Sequence, residues 1–198
     1  PVFGADKRAV IAACTAVLNR LDLIDADRVR ALAARGRTFD MAGDADAAIR
    51  DLDQAIKLAP ADAELRVRRG WVAYGLRQFD EAMGFARRAL ALDPQHQSAL
   101  TLLGAAAVNT RRFAIGKASL DKAVEIDPAD VVARFERFEF FDRCCEQREA
   151  LAELNDLLAL QTPALDSQFN RMLDRDMSYR TMARLQRVQG AAQFRQVE

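Results

Sequence analysis

The sequence predicts an all-α fold built from consecutive helix pairs, and three observations carry that expectation. The first is a period. Pro60, Pro94 and Pro128 stand 34 residues apart, as do Gly36, Gly70 and Gly104, and Ala55, Ala89 and Ala123, while Ala48 and Ala82 continue to Gly116 at the same interval. The second is composition: only 9 Gly and 5 Pro punctuate the chain, aromatic residues make up 7%, and alanine is abundant, a profile that favours close-packed helices over sheet. The third is length, because 198 residues suffice for one core or one continuous stack but not comfortably for two.

Charge and hydropathy narrow the class further. The 29 basic and 29 acidic residues cancel, so the chain lacks the basic field that nucleic-acid and membrane-surface binders use to recruit phosphates. Hydrophobic residues at 51% argue against disorder, and no apolar run approaches the roughly 18 to 20 residues of a membrane span.

The first expected element is a helix over 6–20, with Val10, Cys14, Val17, Leu18 and Leu21 on one stripe. The periodic region follows. Gly36, Gly70 and Gly104 have no side chain, so a facing helix can approach closely, and Ala48, Ala82 and Gly116 do the same from the other side; small opposite small sets a tight crossing. Each Pro stops the helix before it, in the contexts LAP, LDP and IDP.

This pattern resembles the tetratricopeptide repeat, a helix-turn-helix unit with small residues where its helices cross and Pro ending the second helix. The resemblance implies a right-handed α-α superhelical solenoid with units 29–62, 63–96, 97–130 and a degenerate 131–164. Asp44, Asp46 and Asp80 are expected in the first turn of second helices, where carboxylates complement the helix dipole. Phe39, Phe79, Phe113, Leu58, Leu92 and Ile126 are expected in the core. The fourth unit departs from the pattern, with Phe138 where Gly is expected and Pro163 one residue late, so this pair must splay or repack.

Both ends read as caps. The leading helix, within 1–28, looks like the second helix of an incomplete unit covering the first repeat. At the other end, within 165–198, helices are expected over 166–174 and 177–189. They carry Phe169, Met172, Leu173, Tyr179, Met182, Leu185 and Val188 at spacings of 3 to 4 and end near Gly190. The cluster Phe135, Phe138, Phe140 and Phe141 spans too much of its helix for one neighbour to bury. The C-terminal helices or a second copy are expected to cover the remainder, which makes Phe135, Phe138 and Phe141 a candidate oligomer surface.

A stacked array has no closed pocket of its own, and the family geometry implies a concave groove lined by first helices. The groove positions then include Arg30, Ala33, Arg37, Asp40 and Met41; Glu64, Val67, Trp71, Tyr74 and Gly75; Ser98, Thr101, Ala105, Val108 and Asn109; and Val132, Phe135, Glu139, Asp142 and Arg143. Trp71, the single Trp, has Tyr74 at i+3 and lies near Arg30 and Arg37, a combination typical of binding hot spots. Two readings of Trp71 stay open: an aromatic platform for an extended peptide whose acidic group meets Arg37, or packing between adjacent first helices. Some relatives hold a chaperone carboxylate with a Lys/Asn/Asn/Lys/Arg clamp. The corresponding positions here are Ala33, Arg37, Arg68, Ser98 and Leu102, so that clamp is absent.

Other chemistry finds little footing. The three cysteines, Cys14, Cys144 and Cys145, form no CxxC pair and are expected as free, partly buried thiols; with one His, His96, they do not supply a four-ligand zinc site. His96 has no partnered nucleophile motif, and neither GxxxxGK nor GxGxxG appears. Arginine doublets such as Arg68/Arg69 and Arg111/Arg112 raise RNA binding, but unit 63–96 carries 6 − 4 = +2 and unit 131–164 carries 4 − 7 = −3, so no basic stripe forms. The chain starts at Pro1 without a charged and apolar leader, which leaves cytoplasm and an exported compartment both open. The expected function is a non-enzymatic protein-binding module without cofactor or metal, holding a partner peptide or helix at Arg30, Arg37, Trp71, Tyr74 and Asn109. The alternative is a structural self-assembly protein, a homodimer through the fourth repeat and C-terminal helices.

Overall fold

The computed structural model describes residues 7–20 and 22–159, and among them every regular element is an α-helix. In order these are α1 (Lys7–Leu18), α2 (Asp25–Ala42), α3 (Ala45–Leu58), α4 (Ala63–Gly75), α5 (Phe79–Leu92), α6 (Gln97–Asn109), α7 (Phe113–Ile126), α8 (Val131–Arg143) and α9 (Gln147–Ala159). The chain divides into two compact units, Pro1–Asp127 and Pro128–Glu198. The helices expected over 166–174 and 177–189 lie outside the described residues.

In the first unit, successive helices pack as an all-α repeat solenoid, pair by pair. The small residues explain why. A Cβ placed on Gly36 would lie 3.1 Å from Leu52 Cγ and 3.4 Å from the Ala48 carbonyl; on Gly70, 2.5 Å from Leu102 Cδ2 and 3.5 Å from the Ala82 carbonyl; on Gly104, 2.5 Å from Leu120 Cγ and 3.2 Å from the Gly116 carbonyl. Ala48, Ala82, Ala55, Ala89 and Ala123 are fully enclosed. Contacts this close gather dispersion along the whole crossing, and a single added methyl group would have to displace a neighbouring leucine side chain.

The helix ends repeat with the same period. Asp62 accepts from Leu65 N and Asp130 from Ala133 N, capping α4 and α8, while Asp44 accepts from Ala47 N and caps α3. The turn inside each pair is left-handed at one residue: Gly43 (φ 84°), Arg77 (62°), Arg111 (59°) and Cys145 (61°), each 34 residues after the last. At each, the amide one residue on reaches back to close the first helix: Asp44 N to Phe39 O, Gln78 N to Ala73 O, Arg112 N to Ala107 O, and Glu146 N to Phe141 O. Only the first of these turns uses glycine.

Polar ties also join the helices. Arg35 Nε and Nη2 donate to the two carboxylate oxygens of Asp51 at 2.7 and 2.8 Å, and its Nη1 donates to Thr15 Oγ1 at 2.9 Å, joining α1, α2 and α3 through one half-buried guanidinium. In the second unit the equivalent Arg137 donates to buried Glu153 at 2.7 Å, and Arg134 donates to the other oxygen of Glu153 at 2.7 Å. Arg69, in the same slot, meets Phe85 instead: its guanidinium lies 4.8 Å from the ring centroid and pairs with Asp53 and Glu81.

Several core expectations are corrected. Leu58, Leu92 and Ile126 are 37%, 45% and 39% exposed, because each closes its helix at the edge of the stack; Phe113, the first residue of α7, is exposed for the same reason at the opposite helix end. Phe39 and Phe79 are half-buried. The candidate oligomer surface is also corrected: Phe135, Phe138 and Phe141 are 7%, 4% and 8% exposed, so their rings are not on an open face. Cys14 and Cys144 are half-buried free thiols, but Cys145 is exposed, since α8 ends at Arg143 and the left-handed turn throws the next side chain outward.

Three substitutions test this account by urea denaturation. Gly104→Ala overpacks the α6–α7 crossing and destabilises the chain by roughly 1–3 kcal/mol, whereas Gly75→Ala, with nothing within 4 Å of the added Cβ, is neutral or slightly stabilising. Glu153→Ala leaves Arg134 and Arg137 without their shared carboxylate and costs about 3–5 kcal/mol.

Candidate functional site

The aromatic residues singled out in the sequence do come together. On α4, Trp71 and Tyr74 are one helical turn apart and meet edge to face, centroids 5.3 Å apart at 78°; Tyr74 then meets Phe79 at the start of α5, 5.4 Å away at 66°. Asn109, at the end of α6, donates from Nδ2 to the Tyr74 hydroxyl at 3.0 Å and to Ala105 O at 3.0 Å. The tie links adjacent first helices and holds the Tyr74 ring in one orientation. Trp71 is half-buried against the cluster that includes Val67, Ala73, Leu102 and Ala106. One part of its indole is therefore packed and another is exposed.

Charges around this patch differ in how they are held. Arg37 is exposed. Arg68 pairs with Glu64 at 2.8 Å, and Glu64 also faces His96 Nε2 at 3.6 Å. His96 stands where Asp62 and Asp130 stand in the neighbouring repeats but gives α6 no side-chain cap. Arg30 does not join the aromatic patch: it pairs with Asp27 and lines an open depression between α1 and α2, together with Ala13, Cys14, Val17, Arg20, Leu23 and Ala31.

Several of the expected groove positions are closed. Val67, Thr101, Ala105 and Val108 are buried, and α6 is enclosed from Ala99 to Val108. The signal was present in the sequence: α6 reads QSALTLLGAAAVN, apolar on all sides, and a helix apolar all round is an interior helix. The Asn109–Tyr74 bond had no such signal, because a bond between residues 35 apart is read only once adjacent first helices are placed side by side.

Among the described residues no group of three or more His, Cys, Asp or Glu side chains could hold a metal ion, and no helix is long and apolar enough to cross a membrane. Asp51 raises the Arg35 guanidinium above its ordinary value through their hydrogen bonds. Burial pushes the Cys144 thiol up, with Glu146 and Cys145 adding to it.

Comparison with known proteins gives one consistent result. Residues 41–106 and residues 97–130 each match a family described as Tetratricopeptide repeat. No curated protein matches the chain. Among solved structures, the chain is similar to MamA, with a TM-score of 0.62 and 21% identity over 79% of this chain and 89% of that one. It is similar to YrrB, described as a TPR protein with an unusual peptide-binding site, with a TM-score of 0.57 and 17% identity over 84% of this chain and 92% of that one. It is also similar to the second TPR domain of the human RPAP3 protein in complex with an HSP70 peptide, with a TM-score of 0.54 and 20% identity over 59% of this chain and 98% of that one. At identities this low the likeness is one of fold.

Two measurements follow from the geometry. Tyr74→Phe removes the acceptor of the Asn109 bond and lowers stability by about 0.5–1.5 kcal/mol in chemical denaturation. A thiol whose folded value is raised stabilises the fold below its unfolded value and loses that contribution as pH rises through the folded value. Alkaline destabilisation is therefore larger in the wild-type chain than in Cys144→Ala, compared at about pH 7 and about pH 10.

Proposed function

The chain belongs to the tetratricopeptide repeat family through residues 41–130, and from that membership we propose that it is a non-enzymatic module binding a peptide or helix of a partner protein on the first-helix face around Trp71. The observation that carries this reading is the Trp71–Tyr74–Asn109 arrangement: an aromatic pair with a half-exposed indole, locked across two helices by the Asn109–Tyr74 bond. A rigid amphipathic aromatic loses little conformational freedom on contact, so its buried area converts efficiently into affinity. The exposed guanidinium of Arg37, one repeat before Trp71, supplies a cation for an acidic group of the same ligand.

The chemistry of the partner is restricted by what these helices hold. At the positions of the chaperone-tail clamp, Leu102 is fully buried and Arg68 is engaged by Glu64, which gives no support to capture of a terminal carboxylate. An internal segment, with an aliphatic or aromatic side chain for Trp71 and a carboxylate for Arg37, fits better. Self-assembly through Phe135, Phe138 and Phe141 has less support, since those rings are buried.

Partner capture from lysate with the wild-type chain, Trp71→Ala and Arg37→Ala tests the reading. Both variants keep wild-type helicity, and both reduce recovery of the same captured protein, Trp71→Ala by about tenfold or more. Full retention of every partner by both folded variants overturns the site.

A further inference from the structure

The turns between paired helices in the first unit differ in charge. The α2–α3 turn uses Gly43 for its left-handed residue and leads into Asp44 and Asp46. The α4–α5 and α6–α7 turns place arginine there instead, Arg77 (φ 62°) and Arg111 (φ 59°), in a backbone region that glycine enters freely and arginine does not. Both arginines are exposed. The turn requires the conformation but not the guanidinium, and a residue held against its local preference points to a use outside the fold.

Contacts between neighbouring pairs lay these two turns side by side. Arg112 Nη1 donates to Asp80 at 2.6 Å, and Asn109 donates to the Tyr74 hydroxyl at 3.0 Å. Around the turns stand Leu76, Phe113 and Ile115, large apolar residues that are nonetheless 44%, 38% and 37% exposed. The carboxylates here are already engaged: Asp80 by Arg112, Glu81 by Arg69 and Asp121 by Lys117, and the first turn of α7 holds no acidic residue. Arg77 and Arg111 pair with no carboxylate among the described residues. Arg77 lies over the Phe79 ring, 5.7 Å from its centroid, which orients the guanidinium without neutralising it. The edge therefore combines apolar surface with two uncompensated cations.

We propose that this edge, from Leu76 and Arg77 across to Arg111, Phe113 and Ile115, is a second docking surface, and that its occupant is a short acidic and apolar segment of a partner protein. Each guanidinium offers a paired donor edge to a carboxylate, while Leu76, Phe113 and Ile115 take the apolar side chains between them. A long polyanion fits poorly, because exposed Asp80 lies within the patch and Asp44 and Asp46 border it at the α2–α3 turn. The same acids weigh against an anionic membrane surface, as does the balance of 29 basic and 29 acidic residues. The occupant touches neither Arg37 nor Trp71, so this surface does not depend on the reading of that patch.

Fluorescence anisotropy tests it with a labelled peptide of repeating Glu-Leu-Asp-Phe. The 198-residue chain carries Trp71→Ala and Arg37→Ala, so that only the edge is read. The peptide binds, a Lys-Leu-Lys-Phe peptide does not, and Arg77→Gln with Arg111→Gln weakens binding by about tenfold at an unchanged urea midpoint. Leu76→Ser weakens it as well. Arg111→Gly separates the two consequences of the residue: it weakens binding and raises the urea midpoint, because the backbone strain leaves with the side chain. Four results each overturn the proposal: no binding of the acidic peptide at about 1 mM, binding indifferent to Arg77→Gln and Arg111→Gln, a lower urea midpoint for Arg111→Gly, or binding of phosphatidylserine vesicles in place of the peptide.

Discussion

The approach of paired helices at positions without side chains is the constraint on which the rest of the structure depends. Where Gly104 faces Gly116, an added Cβ on either residue would fall within 3 Å of a neighbouring side chain, Leu120 in one case and Val108 in the other. Packing at that range leaves no room for water and fixes the separation of the two helices. The left-handed turn then becomes compulsory, because a short link between two such close helices must reverse direction within a few residues. Arg77, Arg111 and Cys145 adopt it at a cost of roughly 1–2 kcal/mol each that glycine would avoid. Packing on both sides of the turn outweighs the local preference.

That ordering of strengths explains which features were legible in the sequence. The period, the glycine and alanine slots and the proline stops follow from residues with narrow conformational or steric roles, so they survive as a visible pattern, whereas Asp44, expected in the first turn of α3, stands one place earlier as its cap. The left-handed turns do not, since only Gly43 announces one, and the other three are imposed by tertiary contact. Likewise Arg35, Arg69 and Arg137 repeat at multiples of 34, yet arginine on a helix reads as a solvated face until its partner 16 residues on, Asp51 or Glu153, is placed beside it. Leu58, Leu92 and Ile126 err in the opposite sense: their apolar character suggested core, but a residue that closes a helix before proline lies at the rim of the stack.

The candidate site was legible to a similar degree. Trp71 and Tyr74 share a face by simple helical spacing, while the edge-to-face angle of their rings is seen only in the structure. Asn109 needed the repeat geometry, and its bond to Tyr74 shows how the array brings together residues far apart in sequence. Arg30 lies apart from the patch because, among the described residues, no first helix stands before α2, so its surroundings are the open depression beside α1. An extrapolated repeat position holds only where both neighbours of that repeat exist.

Polar ties and apolar slots divide the work between them. The slots supply most of the burial but are nearly uniform along the chain, so taken alone they would tolerate one helix sliding past another by a turn. A bidentate pair such as Arg35–Asp51 has one satisfactory register, and its third donor, to Thr15, extends that register to α1. Slipping by one turn would leave a half-buried guanidinium and a buried carboxylate unpaired, a penalty of several kcal/mol. The Asn109–Tyr74 bond plays the same part beside Trp71, at the smaller scale of a neutral hydrogen bond. Register set by such ties is what holds an aromatic patch spread over two helices in one geometry.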